Sequence, residues 1–102
     1  MALAGIVGAA GGPRPVHGRI DRLAVTEEGV LLADFKTGRP PPEGAPLPAA
    51  DAAQIALYAA LLEQIYPGRR IVPMLVWTSG PVIRRLSEAE TSAALAGAGI
   101  GA

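Results

Sequence analysis

Between residues 37 and 50 this 102-residue chain carries five prolines and two glycines. Such a segment cannot run through a β-ladder or a helix, because proline lacks the backbone donor and fixes φ. The stretch therefore reads as an extended crossing that divides the chain into two parts. A connection of this length is more often functional than accidental.

In the part before the crossing, residues 3–9 are apolar and run into Gly11, Gly12 and Pro13, which predicts a short strand and a turn. A β-type segment follows from Val16 to Val25, then the turn-like Thr26-Glu27-Glu28-Gly29 and the apolar run VLLADFK at 30–36. Together these predict a β-hairpin. Its second strand is apolar on both faces until Asp34, the pattern of a central strand covered on both sides.

In the part after the crossing, Asp51 is the expected N-cap of a helix, and the Ala/Leu-rich run to Ile65 continues it until Pro67 and Gly68 stop it. Ile71 to Thr78 predicts a strand in which Pro73 favours an edge or a bulge. Ser79, Gly80 and Pro81 turn the chain, and Val82 to Leu86 return as a hairpin partner. Ser87 and Glu90 form an S-x-x-E capping box for a last helix reaching about Leu95. The order β, ββ, loop, α, ββ, α predicts one α/β domain, a mixed sheet with helices on its faces.

Composition excludes several classes. Half the residues are hydrophobic and 18% charged, as in a soluble globular protein. There are no cysteines, so neither a disulfide scaffold nor a Cys-ligated zinc site is available. The opening MALAGIVGAAGG has no basic residue after Met1 and is interrupted by Gly5 and Gly8, unlike a secretion signal. No stretch approaches the roughly 20 apolar residues of a membrane span, and the expected location is the cytoplasm. Nine basic residues balance nine acidic ones, so a nucleic-acid partner must be met by a local patch. Arg14, Arg19, Arg22, Lys36 and Arg39 gather near the hairpin, where they form such a patch or an ordinary solvated surface.

Folding the hairpin about the Glu27–Glu28 bond sets Val25 opposite Val30, Leu23 opposite Leu32, and Asp21 opposite Asp34. Directly opposed like charges are destabilising, and a bound cation would turn that penalty into a site. Period-two alternation puts Lys36 on the face of Asp34, so two carboxylates and an ammonium converge. Hard cations such as Mg²⁺ take oxygen ligands of this kind and keep several waters. A one-residue slip, for instance from a bulge at Gly29, would carry Asp21 to the other face.

Each residue also has an ordinary reading: an Asp at a strand end is commonly just solvated. Against this, eight of the nine basic residues are Arg and the single Lys is Lys36, at the position where a compact ammonium would serve a water or a phosphate. Gln54 and Tyr58 stand four apart and share a helix face, either as part of a buried face or as a polar pair close to the sheet. His17, the only histidine, reads as structural or solvated.

Taken together, GRIDRL at 18–23, DFKTGR at 34–39 and QIALY at 54–58 resemble the PD-(D/E)xK nuclease superfamily in its RecB-like branch. With IYPGR at 65–69 and LVWTSGP at 75–81, they are similar to the C-terminal nuclease domain of the AddA helicase-nuclease subunits, which work with AddB in double-strand-break repair. The resemblance spans about residues 3–95 and implies a restriction-endonuclease-like mixed sheet flanked by helices, here truncated. It implies that Asp21 and Asp34 are metal ligands, with the Phe35 carbonyl as a third. Lys36 would position or activate water, and Gln54 and Tyr58 would belong to the site and to DNA contact.

The implied reaction is hydrolysis of a DNA phosphodiester by metal-activated water, with Mg²⁺ or Mn²⁺ as cofactor, in an exonuclease working behind a helicase. The implied partners are DNA and an AddB-like subunit. RecB-like nucleases carry a further His on an upstream helix, which this chain does not contain, and no G-x-x-x-x-G-K-[ST] loop is present, so ATP would belong to an absent helicase part. The chain therefore reads as a domain cut from a longer gene. A catalytically incomplete nuclease fold that binds DNA or a partner subunit is the alternative.

Overall fold

A helix that is apolar nearly all round must be buried on more than one side. The 17 residues of α1 (Ala49–Ile65) meet this condition, with Ile55, Ala56, Tyr58, Ala59, Leu61 and Leu62 all buried. The computed structural model describes residues 2–9 and 11–100. In it, α1 packs against a four-stranded sheet, a two-stranded ribbon and a second helix. The ribbon pairs β1 (Ala2–Val7) with β2 (Arg14–Arg19), antiparallel. The sheet has the order β3 (Arg22–Val25), β4 (Val30–Lys36), β5 (Ile71–Trp77), β6 (Val82–Arg85), and the second helix is α2 (Glu88–Gly97).

The β3–β4 hairpin has the expected register, with Val25 opposite Val30 and Leu23 opposite Leu32. Its two-residue turn is closed by reciprocal bonds between Thr26 and Gly29, so no bulge shifts it. From β4 the chain crosses through residues 37–48 and α1 to β5, which lies parallel to β4; β6 returns antiparallel. The crossing is tied down by Ser79 Oγ donating to the Gly38 carbonyl (2.6 Å) and an Arg84 guanidinium N–H donating to the Ala45 carbonyl (3.0 Å). Val30, Leu32, Leu75 and Trp77 from the sheet meet Ile55, Leu61 and Leu62 of α1 and Leu3 and Val7 of β1 in one core. The Ser87–Glu90 capping box forms in both directions and opens α2, which runs two residues past Leu95.

Four expectations are corrected. The segment 16–25 is not one strand: it breaks at Ile20 and Asp21, so β2 joins the ribbon and β3 joins the sheet. Ile20, only 2% exposed, turns into the core there. Asp51 is not the N-cap; Pro48 is, and Asp51 lies in the first turn. β5 is interior and not an edge, yet Pro73 sits one residue beyond the β6 ladder: the Leu86 N–H reaches its carbonyl (3.0 Å), and the reciprocal bond that proline cannot donate falls past the last ladder pair.

Last, the second face of β4 is covered only in part: Ala33 is buried there and Leu31 half-buried. Val30 and Leu32 are buried under α1, whereas Phe35 on the other face is 47% exposed and Ile83 of β6, on that same face, 61%. No helix among the described residues is long and apolar enough to cross a membrane.

Candidate active site

A helix that connects two parallel strands begins at the carboxyl end of the first, so α1 starts beside the end of β4. Asp34 and Lys36 occupy that end, on the same face as Val30 and Leu32 and therefore on the α1 side. The Lys36 Nζ donates to Asp34 Oδ2 at 2.8 Å and to Asp51 Oδ1 of α1 at 3.1 Å. These are the two salt bridges among the described residues, and the chain's single lysine makes both.

Asp21 arrives from the break between β2 and β3. The ladder stops at Arg22–Ala33, and one position further Asp21 Oδ2 accepts the Phe35 N–H at 2.8 Å. A side chain thus replaces the next backbone bond and fixes the Asp21 carboxylate beside that of Asp34. The N–H and C=O of a strand residue leave on the same side, so the Phe35 carbonyl lies on the Asp21 edge of β4 as well.

The two carboxyls respond oppositely. Asp21 is held below its ordinary pKa, first by the Phe35 N–H, then by a hydrogen bond from Asp34 and the charge of Lys36. Asp34 is pushed up, chiefly by burial and further by Asp21, although Lys36 pulls the other way; of the two it is the carboxyl that takes up a proton first as pH falls. Burial works against the charged form of Lys36, but its bonds and attractions to Asp34 and Asp51 outweigh that and raise its pKa.

Gln54 and Tyr58 continue the stripe that Asp51 begins on α1. Gln54 Nε2 donates to Tyr58 Oη at 3.3 Å. The Tyr58 ring lies flat against Gly18 of β2, so a Cβ at Gly18 would overlap the ring and its hydroxyl. One helix face therefore touches Lys36 at one end and, at the other, the strand that leads into Asp21. Gln54 and Tyr58 share a cleft of about 380 Å³ with Arg14 and His17. His17, exposed on β2 opposite Ala4, sits in that cleft and not with the carboxylates. Arg19, Arg22 and Arg39 are exposed. Asp51 is the member of the group that sequence reasoning assigned elsewhere. Its signal was available: an acidic residue three before Gln54 shares its helix face.

Residues 3–95 match the sequence profile of the PD-(D/E)XK nuclease superfamily. The chain belongs to the PD-(D/E)XK nuclease superfamily. The crystal structure of SSO0001 is similar to it in fold, with a TM-score of 0.52 and 16% identity over 94% of this chain and 46% of that one. The chain thus spans about half the length of that relative. No curated protein matches the sequence. The mixed sheet with its two helices is a restriction-endonuclease-like fold.

Members of the superfamily are nucleases that act on DNA and typically use divalent metal ions. The donor set here fits such an ion. Asp21 uses Oδ2 for Phe35 and Asp34 uses Oδ2 for Lys36, which leaves both Oδ1 atoms outside those contacts. Among the described residues no three His, Cys, Asp or Glu side chains cluster, so Asp21 and Asp34 are the two carboxylates such an ion could use, with water and backbone oxygen to complete its shell.

Proposed function

We propose that this chain is the nuclease module of an AddA-type helicase-nuclease, a Mg²⁺-dependent DNA exonuclease acting in double-strand-break repair with an AddB-like subunit. The observation that carries the reading is the convergence of Asp21, Asp34 and Lys36 at the carboxyl end of β4, with the motifs around them in the AddA order. Asp21, Asp34 and the Phe35 carbonyl would hold the metal, which would supply a Lewis acid and an activated water. The Lys36 ammonium has three donors, two of them engaged, and the third is free to orient a water or a phosphate oxygen. The first turn of α1 presents backbone N–H groups and a positive dipole end to the same place, which favours an anionic substrate. Gln54 and Tyr58 would hold the DNA strand along the cleft shared with Arg14. Mn²⁺ would substitute for Mg²⁺.

The test is cleavage of linear and covalently closed DNA by the purified chain with Mg²⁺. Cutting of the linear form alone, lost on Asp34→Ala or Lys36→Ala while the melting curve stays cooperative, is the expected result. Full activity in either variant would overturn the reading.

A second reading rests on the small donor set, two carboxylates where a third acidic or histidine ligand would complete a tighter site. In it the domain binds DNA or a partner subunit without cutting, and DNA binding survives both Asp34→Ala and removal of metal.

A further inference from the structure

Lys36 has two carboxylate partners, and they differ in what else is asked of them. Asp34 is the carboxylate that a divalent cation would claim. A cation bound there would compete with the ammonium for the same oxygens and repel it. Lysine is a point charge on a flexible four-carbon stem, so nothing in its own geometry would keep it at the site once Asp34 is taken. Asp51 has no such second claim. It stands in the first turn of α1, where the helix dipole favours a fixed anion, and it reaches Lys36 from the helix and not from the sheet.

We propose that Asp51 is the positioning residue of this site: it holds the Lys36 ammonium in place when Asp34 is given over to the metal. The inference rests on the nuclease reading of Asp34 and Lys36. Asp51 touches neither substrate nor metal in this account and acts only through Lys36. The contact explains why the helix starts two residues before Asp51. With Pro48 as the cap, the Asp51 carboxylate is spared that duty and turns to the sheet. It also gives the stripe of Asp51, Gln54 and Tyr58 one purpose, to register α1 against the ends of β4 and β2.

Lys36 is the only lysine of the chain, so its exposure can be read chemically without any catalysis. The full 102-residue chain is acetylated with an amine-selective reagent, and the rate at Lys36 is followed by mass spectrometry of its peptide, with and without Mg²⁺. In the wild type Lys36 should stay protected in both conditions. In Asp51→Asn, Mg²⁺ should expose it and raise the rate several-fold, and Asp51→Glu should restore part of the protection. In parallel, Asp51→Asn should lower kcat about 10–100-fold, the cost of a misplaced catalytic group, while KM for DNA changes little. Asp51→Ser repeats the test should the Asn variant fold poorly.

Equal labelling of Lys36 in wild type and Asp51→Asn with Mg²⁺ present would overturn the proposal even if cleavage fell. Wild-type chain that does not cut DNA with Mg²⁺, and whose melting temperature Mg²⁺ does not raise, would instead overturn the nuclease reading. Without metal, Asp51→Asn should label Lys36 as slowly as the wild type, because Asp34 then still holds the ammonium.

Discussion

The two halves of β4 share a strand, the β5 ladder and one face of the sheet, yet they hold opposite kinds of side chain. Val30 and Leu32 are fully packed under α1, at 0% and 1% exposure. Two and four positions on, the same face carries Asp34 and Lys36, with side chains 16% and 22% exposed. The β5 ladder runs along both, whereas the β3 ladder ends at Arg22–Ala33. The Lys36 end lies beside the first turn of α1, where Asp51 reaches it, and beside the break at Asp21. Packing dictates the first half, and charge pairing across three elements dictates the second.

If that division is right, truncation and neutralisation should have opposite consequences four residues apart. Leu32→Ala removes a core side chain and should cost about 2–5 kcal/mol, a large share of the about 5–10 kcal/mol such a small domain holds. Urea unfolding measures it, and a cost below about 1 kcal/mol would mean that this half of the strand is not the core. Lys36→Met should leave the urea midpoint nearly unchanged while cleavage falls by at least about 100-fold, equivalent to about 2.7 kcal/mol of transition-state stabilisation. A Lys36→Met chain that unfolds would place both halves of β4 in the core and erase the contrast.

Gly18→Ala probes the bridge between the halves. The added methyl meets the Tyr58 ring, so α1 or β2 must move, at about 1–3 kcal/mol. Because Asp21 follows three residues later, cleavage should fall together with stability. In a Tyr58→Ala background Gly18→Ala should cost little further stability, because the ring it would meet is gone, and should restore none of the activity. Full stability in the single variant would show that the ring has room to step aside.

How much of this contrast could be read in advance follows from where the information lies. The hairpin register was legible, because a two-residue turn flanked by apolar residues fixes which positions face each other. The change of character within β4 was equally plain, since VLLADFK stops being apolar at Asp34. The break at Ile20 was not, because GRIDRL carries no turn residue at that point. The chain leaves the ladder there because Ile20 has a core to enter and the Asp21 side chain can take the Phe35 N–H. The run of apolar residues also promised a strand covered on both faces, and an apolar pattern cannot say which neighbours exist to cover it. Asp51 was read by the local rule that puts Asp at helix starts; its partner lies 15 residues back, across the proline-rich crossing, where local rules do not reach.

The smallest effect tests the electrostatics of the charged half. Asp34 is raised by burial and by Asp21, so the folded chain binds its proton more tightly than the unfolded chain does. Folding is therefore favoured, as far as Asp34 is concerned, when pH falls through that raised pKa, and its charge costs stability above it. Asp21 runs the other way. Its pKa is lowered from 3.8, so its contribution is present above that value and lost as pH drops through the folded pKa. Asp34→Asn keeps the Phe35 N–H that chiefly lowers Asp21, and its amide can still donate to that carboxylate, so it removes mainly the first effect. With chelator present, the variant should melt slightly above the wild type at pH 7, although it loses an ion pair to Lys36. The gain should fade on acidification, because the wild-type Asp34 is then neutral as well. Melting curves at a series of pH values check this. A variant less stable than wild type at pH 7, with a deficit that closes as pH falls, would mean that the Lys36 pair outweighs burial, and that the charged half of β4 is held together by attraction and not merely tolerated.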